Sequence, residues 1–135
     1  MASGFTTAYR CSVLDSLFKK SAVTVYGALC TSDPGDAAVM ASHEIAASFA
    51  YARTEIVFNT GAVAGSISNT TACEFPVANG GNWGTITHLG ICAAAARGVD
   101  DCKASGLLTA SKVIDDGDQL KFAIGNITVS IAAQA

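Results

Sequence analysis

The stretch "NWGTITHLGIC", Asn82 to Cys92, decides how the chain is read. It carries the only tryptophan, one of two histidines and one of five cysteines. As a pocket, it would bring a histidine and a thiol together. As a strand, it has period two: Ile86, His88 and Gly90 share one face, and Thr85, Thr87, Leu89 and Ile91 the other. His88 and Cys92 then point to one side but stand about 13 Å apart, at ~3.3 Å per residue. A nucleophile–base hydrogen bond needs about 3 Å. The stretch therefore reads as a strand, entered through Trp83 from the glycine-rich loop "ANGGN" (Ala78–Asn82). His88 is expected to be a satisfied structural residue. Trp83 is expected to anchor against the sheet or a neighbouring subunit.

Outward from this strand, the same period recurs. "AVTVYGALCTS" (Ala22–Ser32) is β-branched and apolar, a buried strand, and "SDPGD" after it is a turn. In Tyr51–Phe58, Thr54, Ile56 and Phe58 alternate with Arg53, Glu55 and Val57. "ACEFPV" (Ala72–Val77) ends on a proline, which suits a strand end or an edge. "ARGVDDCKAS" is polar and loop-like, and a strand is expected over Gly106–Ile114. "DDGD" (Asp115–Asp118) signals a hairpin into Gln119–Ile124. Ile127–Ala132 alternates once more. Near the front, Phe5, Tyr9, Val13, Leu14, Leu17 and Phe18 follow helical spacing over Phe5–Lys20, and Lys19 and Lys20 suit the dipole at its end. The expected fold is mainly β: an antiparallel sandwich or barrel-like single domain over 1–135, with an N-terminal helix (1–20) and strands over 22–135.

Composition narrows the function. Only 14% of the 135 residues are charged, and mean hydropathy is +0.40. An average soluble domain has about 25% charged residues. So little charge leaves apolar surface for other copies or partners to cover. The net charge is −3 and the basic residues are scattered, so no nucleic-acid-binding face is expected. No apolar run approaches the ~20 residues of a spanning helix, so no membrane role is expected. The N-terminus lacks a charged segment followed by an apolar one, so no secretory signal is expected. Five widely spaced cysteines make no zinc pattern. Cys30 and Cys92 lie in apolar runs and read as buried thiols, while a Cys92–Cys102 disulfide would need an oxidising compartment. The acidic clusters lack EF-hand spacing, there is no G-x-S-x-G elbow, and "ANGGNWG" is followed by no Walker lysine. Asn69 and Asn126 match glycosylation sequons that matter only on a secretory route. No catalytic residue, metal or cofactor is expected.

The order of these segments resembles a family of small tailed-phage virion structural proteins, described as tail fibre or head decoration proteins. Its pattern is an amphipathic segment ending "LLDxLF", a "TSDPGD" turn, a "YAR" strand, an "FP" strand, "WGTVTHxGI" and a closing hairpin. Here these read "VLDSLFKK" (Val13–Lys20), "YGALCTSDPGD" (Tyr26–Asp36), "YARTEIVF" (Tyr51–Phe58), "CEFPVANGGNWGTITHLGI" (Cys73–Ile91) and "LLTASKVIDDGDQLKFAIGNITVSI" (Leu107–Ile131). Two stretches depart. "ASFAYAR" stands where "GGxYAR" is usual, and "ICAAAARGVDDCKASG" replaces "IFDAxxGGNLL".

The resemblance implies a non-enzymatic virion protein made in the host bacterial cytoplasm. The reading it favours is a capsid decoration (cement) protein on the major capsid protein lattice, self-associating, with a trimer preferred. A shaft would need heptads or repeats, and none are visible. A tail, neck or fibre-adaptor component is the alternative. A carbohydrate-binding module using Trp83, Tyr9, Tyr26 and Tyr51 is another. Phe5, Tyr9, Leu14, Leu17, Phe18, Trp83 and His88 are the expected structural or interface residues.

Overall fold

The structure, a computed structural model, describes residues 4–133. A helix, α1 (Thr7–Phe18), is followed by β1 (Val25–Cys30), a single turn α2 (Met40–His43), β2 (Thr54–Ile56), β3 (Ser66–Ser68) and β4 (Cys73–Glu74). Then come β5 (Gly84–Cys92), β6 (Cys102–Ile114), β7 (Lys121–Phe122) and β8 (Thr128–Ser130). The fold is mainly β with antiparallel sheets, as the period-two reading requires. One sheet has the order β2-β1-β5-β6, and two ribbons pair β3 with β8 and β4 with β7.

Contacts divide the chain into two compact units, each built from separated segments. Of the described residues, the first comprises 4–24, 56–73 and 122–133. Here α1 packs on the β3–β8 ribbon, in which Ile67 opposes Val129. Leu14, Phe18, Phe58 and Ile67 form its core, with the Phe18 and Phe58 rings 5.9 Å apart. Asn69 is the polar pin of this unit. Its amide donates to the carbonyls of Thr71 and Ala123, and its oxygen accepts from the Ile127 N–H. The side chain is 2% exposed and fully engaged, so the first sequon asparagine is a structural anchor.

The helix differs from its expected stripe. The buried positions are Arg10, Leu14 and Phe18, spaced by four. Phe5 and Tyr9 are 57% and 67% exposed, and Leu17 is also exposed. The sequence carries two adjacent stripes, and only the one through Arg10 faces the ribbon. Arg10 can be buried there because its guanidinium donates to the Ile131 carbonyl and to Thr7.

The second unit comprises residues 25–55 and 74–121. β1 and β5 form its centre in antiparallel register, from Tyr26 opposite Cys92 to Cys30 opposite His88. Val25, Ala28, Leu29, Cys30, Ile86 and Ile91 are buried, so this pair is covered on both faces. The "SDPGD" turn forms as expected, with Gly35 at φ +69 and its N–H donated to Asp33 Oδ1.

Two expectations are corrected. β6 starts at Cys102, inside the segment read as a loop, because Ser105 and Ala104 extend the ladder on Gly90 and Ile91. "DDGD" does form a tight turn, with the Asp118 N–H bonded to the Asp115 carbonyl and Gly117 at φ +90. It does not join a hairpin, however. β6 pairs with β5, and the chain after the turn hydrogen-bonds to Phe75 and Ala78.

Candidate functional site

The densest polar cluster lies in the second unit. Arg53, read from sequence as one of the scattered basic residues, is buried with Glu44, and both side chains are fully inaccessible. All five guanidinium donors are used. Nε and Nη2 form a two-pronged pair with the Glu44 carboxylate, each at 2.9 Å. Nη1 donates to the Ala94 carbonyl and to Asp101, and Nη2 also donates to the Val99 carbonyl. Glu44 accepts two further bonds, from the Tyr51 hydroxyl at 2.7 Å and from the Gly98 N–H at 2.8 Å. Burial and the bond to Glu44 push the Tyr51 hydroxyl well above its usual titration range.

This cluster fixes the loop between β5 and β6. Arg97 donates to the carbonyls of Ile45 and Glu44, Asp100 accepts the Met40 N–H, and Asp101 accepts the Ala94 N–H. The segment that departs from the resembled family is thus tied to the 40–53 stretch by charge. A buried ion pair holds only when its remaining bonding capacity is met, and here it is. The arrangement ties the 94–101 loop to the 40–53 stretch. The sequence signal was faint: a few charges embedded in apolar runs, with nothing to show that they converge.

Beside this cluster Ala28, Cys30, Met40 and Cys92 are fully buried, with Cys102 half-buried against them. All five cysteines are free thiols. Burial pushes Cys30 and Cys73 up to about 12.

Trp83 is 7% exposed and lies inside the second unit. Its indole N–H donates to the Phe49 carbonyl, and its ring meets Tyr51 edge-on at 5.4 Å. Trp83 and Tyr51 therefore fail as surface platforms for a glycan. Phe49 and Ala50 adopt φ of +54 and +67, a region glycine favours. His88 is half-buried, with Nδ1 bonded to the Thr87 hydroxyl at 2.8 Å. It borders an open cleft with Asp33, Asp36, Ser105 and Leu107. Among the described residues no group of three His, Cys, Asp or Glu side chains is arranged to hold a metal, and no helix is long and apolar enough to cross a membrane.

What the second unit does present is an edge. β6 ends the four-stranded sheet and is 13 residues long. Leu107 is 75% and Val113 61% exposed. Opposite Thr87 its register jumps, so that Lys112 pairs with Ile86 and Leu107 with His88. An edge strand offers a row of main-chain donors and acceptors to another chain. In the first unit Phe5, Tyr9 and Leu17 offer an apolar patch.

The second unit thus combines a long exposed sheet edge with exposed apolar side chains. Residues 4–130 match the family described as "Podophage GP4 fiber I protein gp80", and the chain belongs to that family. It is accordingly a bacteriophage virion structural protein. No curated protein matches the chain.

Proposed function

We propose that this protein is a non-enzymatic subunit of the phage fibre apparatus, acting as one 135-residue structural domain that docks on other virion proteins and on copies of itself. The observation that carries this reading is the β6 edge, where Leu107 and Val113 are exposed on a 13-residue strand at the end of a sheet. Strand addition along such an edge gains affinity from main-chain bonds and specificity from alternate side chains. Lys112 on the same strand disfavours indiscriminate pairing. The family's description favours a fibre location.

A capsid decoration role is the second reading. It is favoured by the absence of heptads or repeats within these 135 residues. Both readings include self-association, with a trimer as the preferred form. Copy number separates them. Quantitative gel analysis of purified particles, with immunogold labelling, is expected to give the small count of a tail-borne fibre at the tail. Labelling over the head, with a count that follows the capsid lattice, would replace the fibre reading with the decoration one. Absence from particles would refute both.

A further inference from the structure

We propose that Cys92 and Cys102 form a cross-strand dithiol–disulfide site that closes a covalent staple at the mouth of the Ala93–Asp101 loop. The two residues are partners at the end of the β5–β6 ladder, just past a register shift between Ile91 and Cys92. Directly opposed antiparallel residues have Cα atoms about 4.5 or 5.5 Å apart, within the disulfide range of about 4.4–6.8 Å. Each thiol perturbs the other's titration, Cys92 being raised and Cys102 lowered. The Cys102 sulfur lies over Gly90, where an added Cβ would stand 3.2 Å from it. That glycine therefore leaves the sulfur its place beside Cys92.

The two thiols are not equivalent. Cys92 is fully buried and Cys102 half-buried, so an oxidant reaches Cys102 first. The neighbouring Cys92, then the Ile91 and Ala104 backbone and the Arg53 guanidinium, hold the Cys102 thiol below its ordinary value against its burial. The neighbouring Cys102 and burial push Cys92 up. Cys30 belongs to the same apolar cluster, but its burial keeps it protonated and unreactive.

With glutathione disulfide as oxidant, the step balances as thiol–disulfide exchange. Cys102 loses its proton to solvent, and its thiolate attacks one glutathione sulfur, expelling a glutathione thiolate that takes up a proton. Cys92 then gives up its proton and attacks the Cys102 sulfur, expelling the second glutathione. The two protein thiols lose two electrons and two protons, and the oxidant becomes two thiols. The biological setting rests on the virion reading: a chain folded in a reducing cytoplasm meets oxidants on release.

The test uses the whole purified chain, equilibrated in glutathione buffers from reducing to oxidising, then quenched, alkylated with iodoacetamide and mapped by peptide mass spectrometry. The expected result is a Cys92–Cys102 link, with Cys30 and Cys73 still alkylated, and a trapped glutathione adduct on Cys102 in Cys92→Ser. The linked form should melt several degrees higher than the reduced form. Alkylation of both thiols in the most oxidising buffer, a link to a different cysteine or equal melting of the two forms would overturn the proposal. The wild-type map and melt decide this whether or not the variant folds. Mapping of purified particles addresses the setting separately. If the link forms in the isolated chain but particles lack the protein, the virion reading fails and the dithiol site stands.

Discussion

β5 and β6 are hydrogen-bonded neighbours with opposite fates. From Leu89 to Cys92 every residue of β5 is buried, whereas β6 from Ser105 to Val113 is exposed except for a half-buried Leu108. Both contain leucine, isoleucine, glycine, threonine and cysteine, so their apolar residues alone do not separate them. Position does. β5 lies between β1 and β6, and β6 has a strand on one side only. The inner strand specifies the core, while the outer one retains apolar side chains that the core does not use. Apolar groups left on an edge are the residue pattern expected of a surface meant to be covered.

The contrast can be broken from the core side first. Arg53→Met should remove one half of the buried pair and leave Glu44 charged without its partner. A loss of about 3–5 kcal/mol is expected in a denaturant melt. A loss below about 1 kcal/mol would show that the ionic cluster does not hold the β5–β6 loop. Gly90→Val comes next. Its Cβ would meet the Cys102 sulfur at 3.2 Å and the Met40 methyl at 3.3 Å. Overpacking of this kind costs about 1–3 kcal/mol. Leu107→Asp should change stability by no more than about 0.5 kcal/mol, because its side chain faces solvent. Its effect should appear instead as weakened incorporation into particles. A destabilised Leu107→Asp chain would mean that β6 belongs to the core.

The strand reading of Asn82–Cys92 was legible because period two survives in a strand even when both faces are covered. The helix was legible in extent to within two residues at each end, but not in facing. Phe5, Tyr9, Val13 and Leu17 make the more regular apolar stripe, but the buried one runs through charged Arg10, and only tertiary packing chooses it. The start of β6 was hidden by "DDCK", since charges normally read as loop. Asp101 is not solvated like a loop charge, because Arg53 reaches it across the unit. The buried Glu44–Arg53 pair was invisible for the same reason: its energy lies in convergence of residues distant in sequence, which spacing does not report. At "ASFAYAR" no glycine marks the left-handed backbone, so Phe49 gave no turn signal.

The central claim is that β6 is an edge waiting for a partner. Hydrogen exchange followed along Cys102–Ile114 in the isolated chain and in purified particles tests it most directly. Solvent-facing amides of β6 should exchange rapidly in the isolated chain and become protected in particles, while those of β5 stay slow in both. Equal, rapid exchange of β6 in both states would contradict the claim and move the docking surface elsewhere.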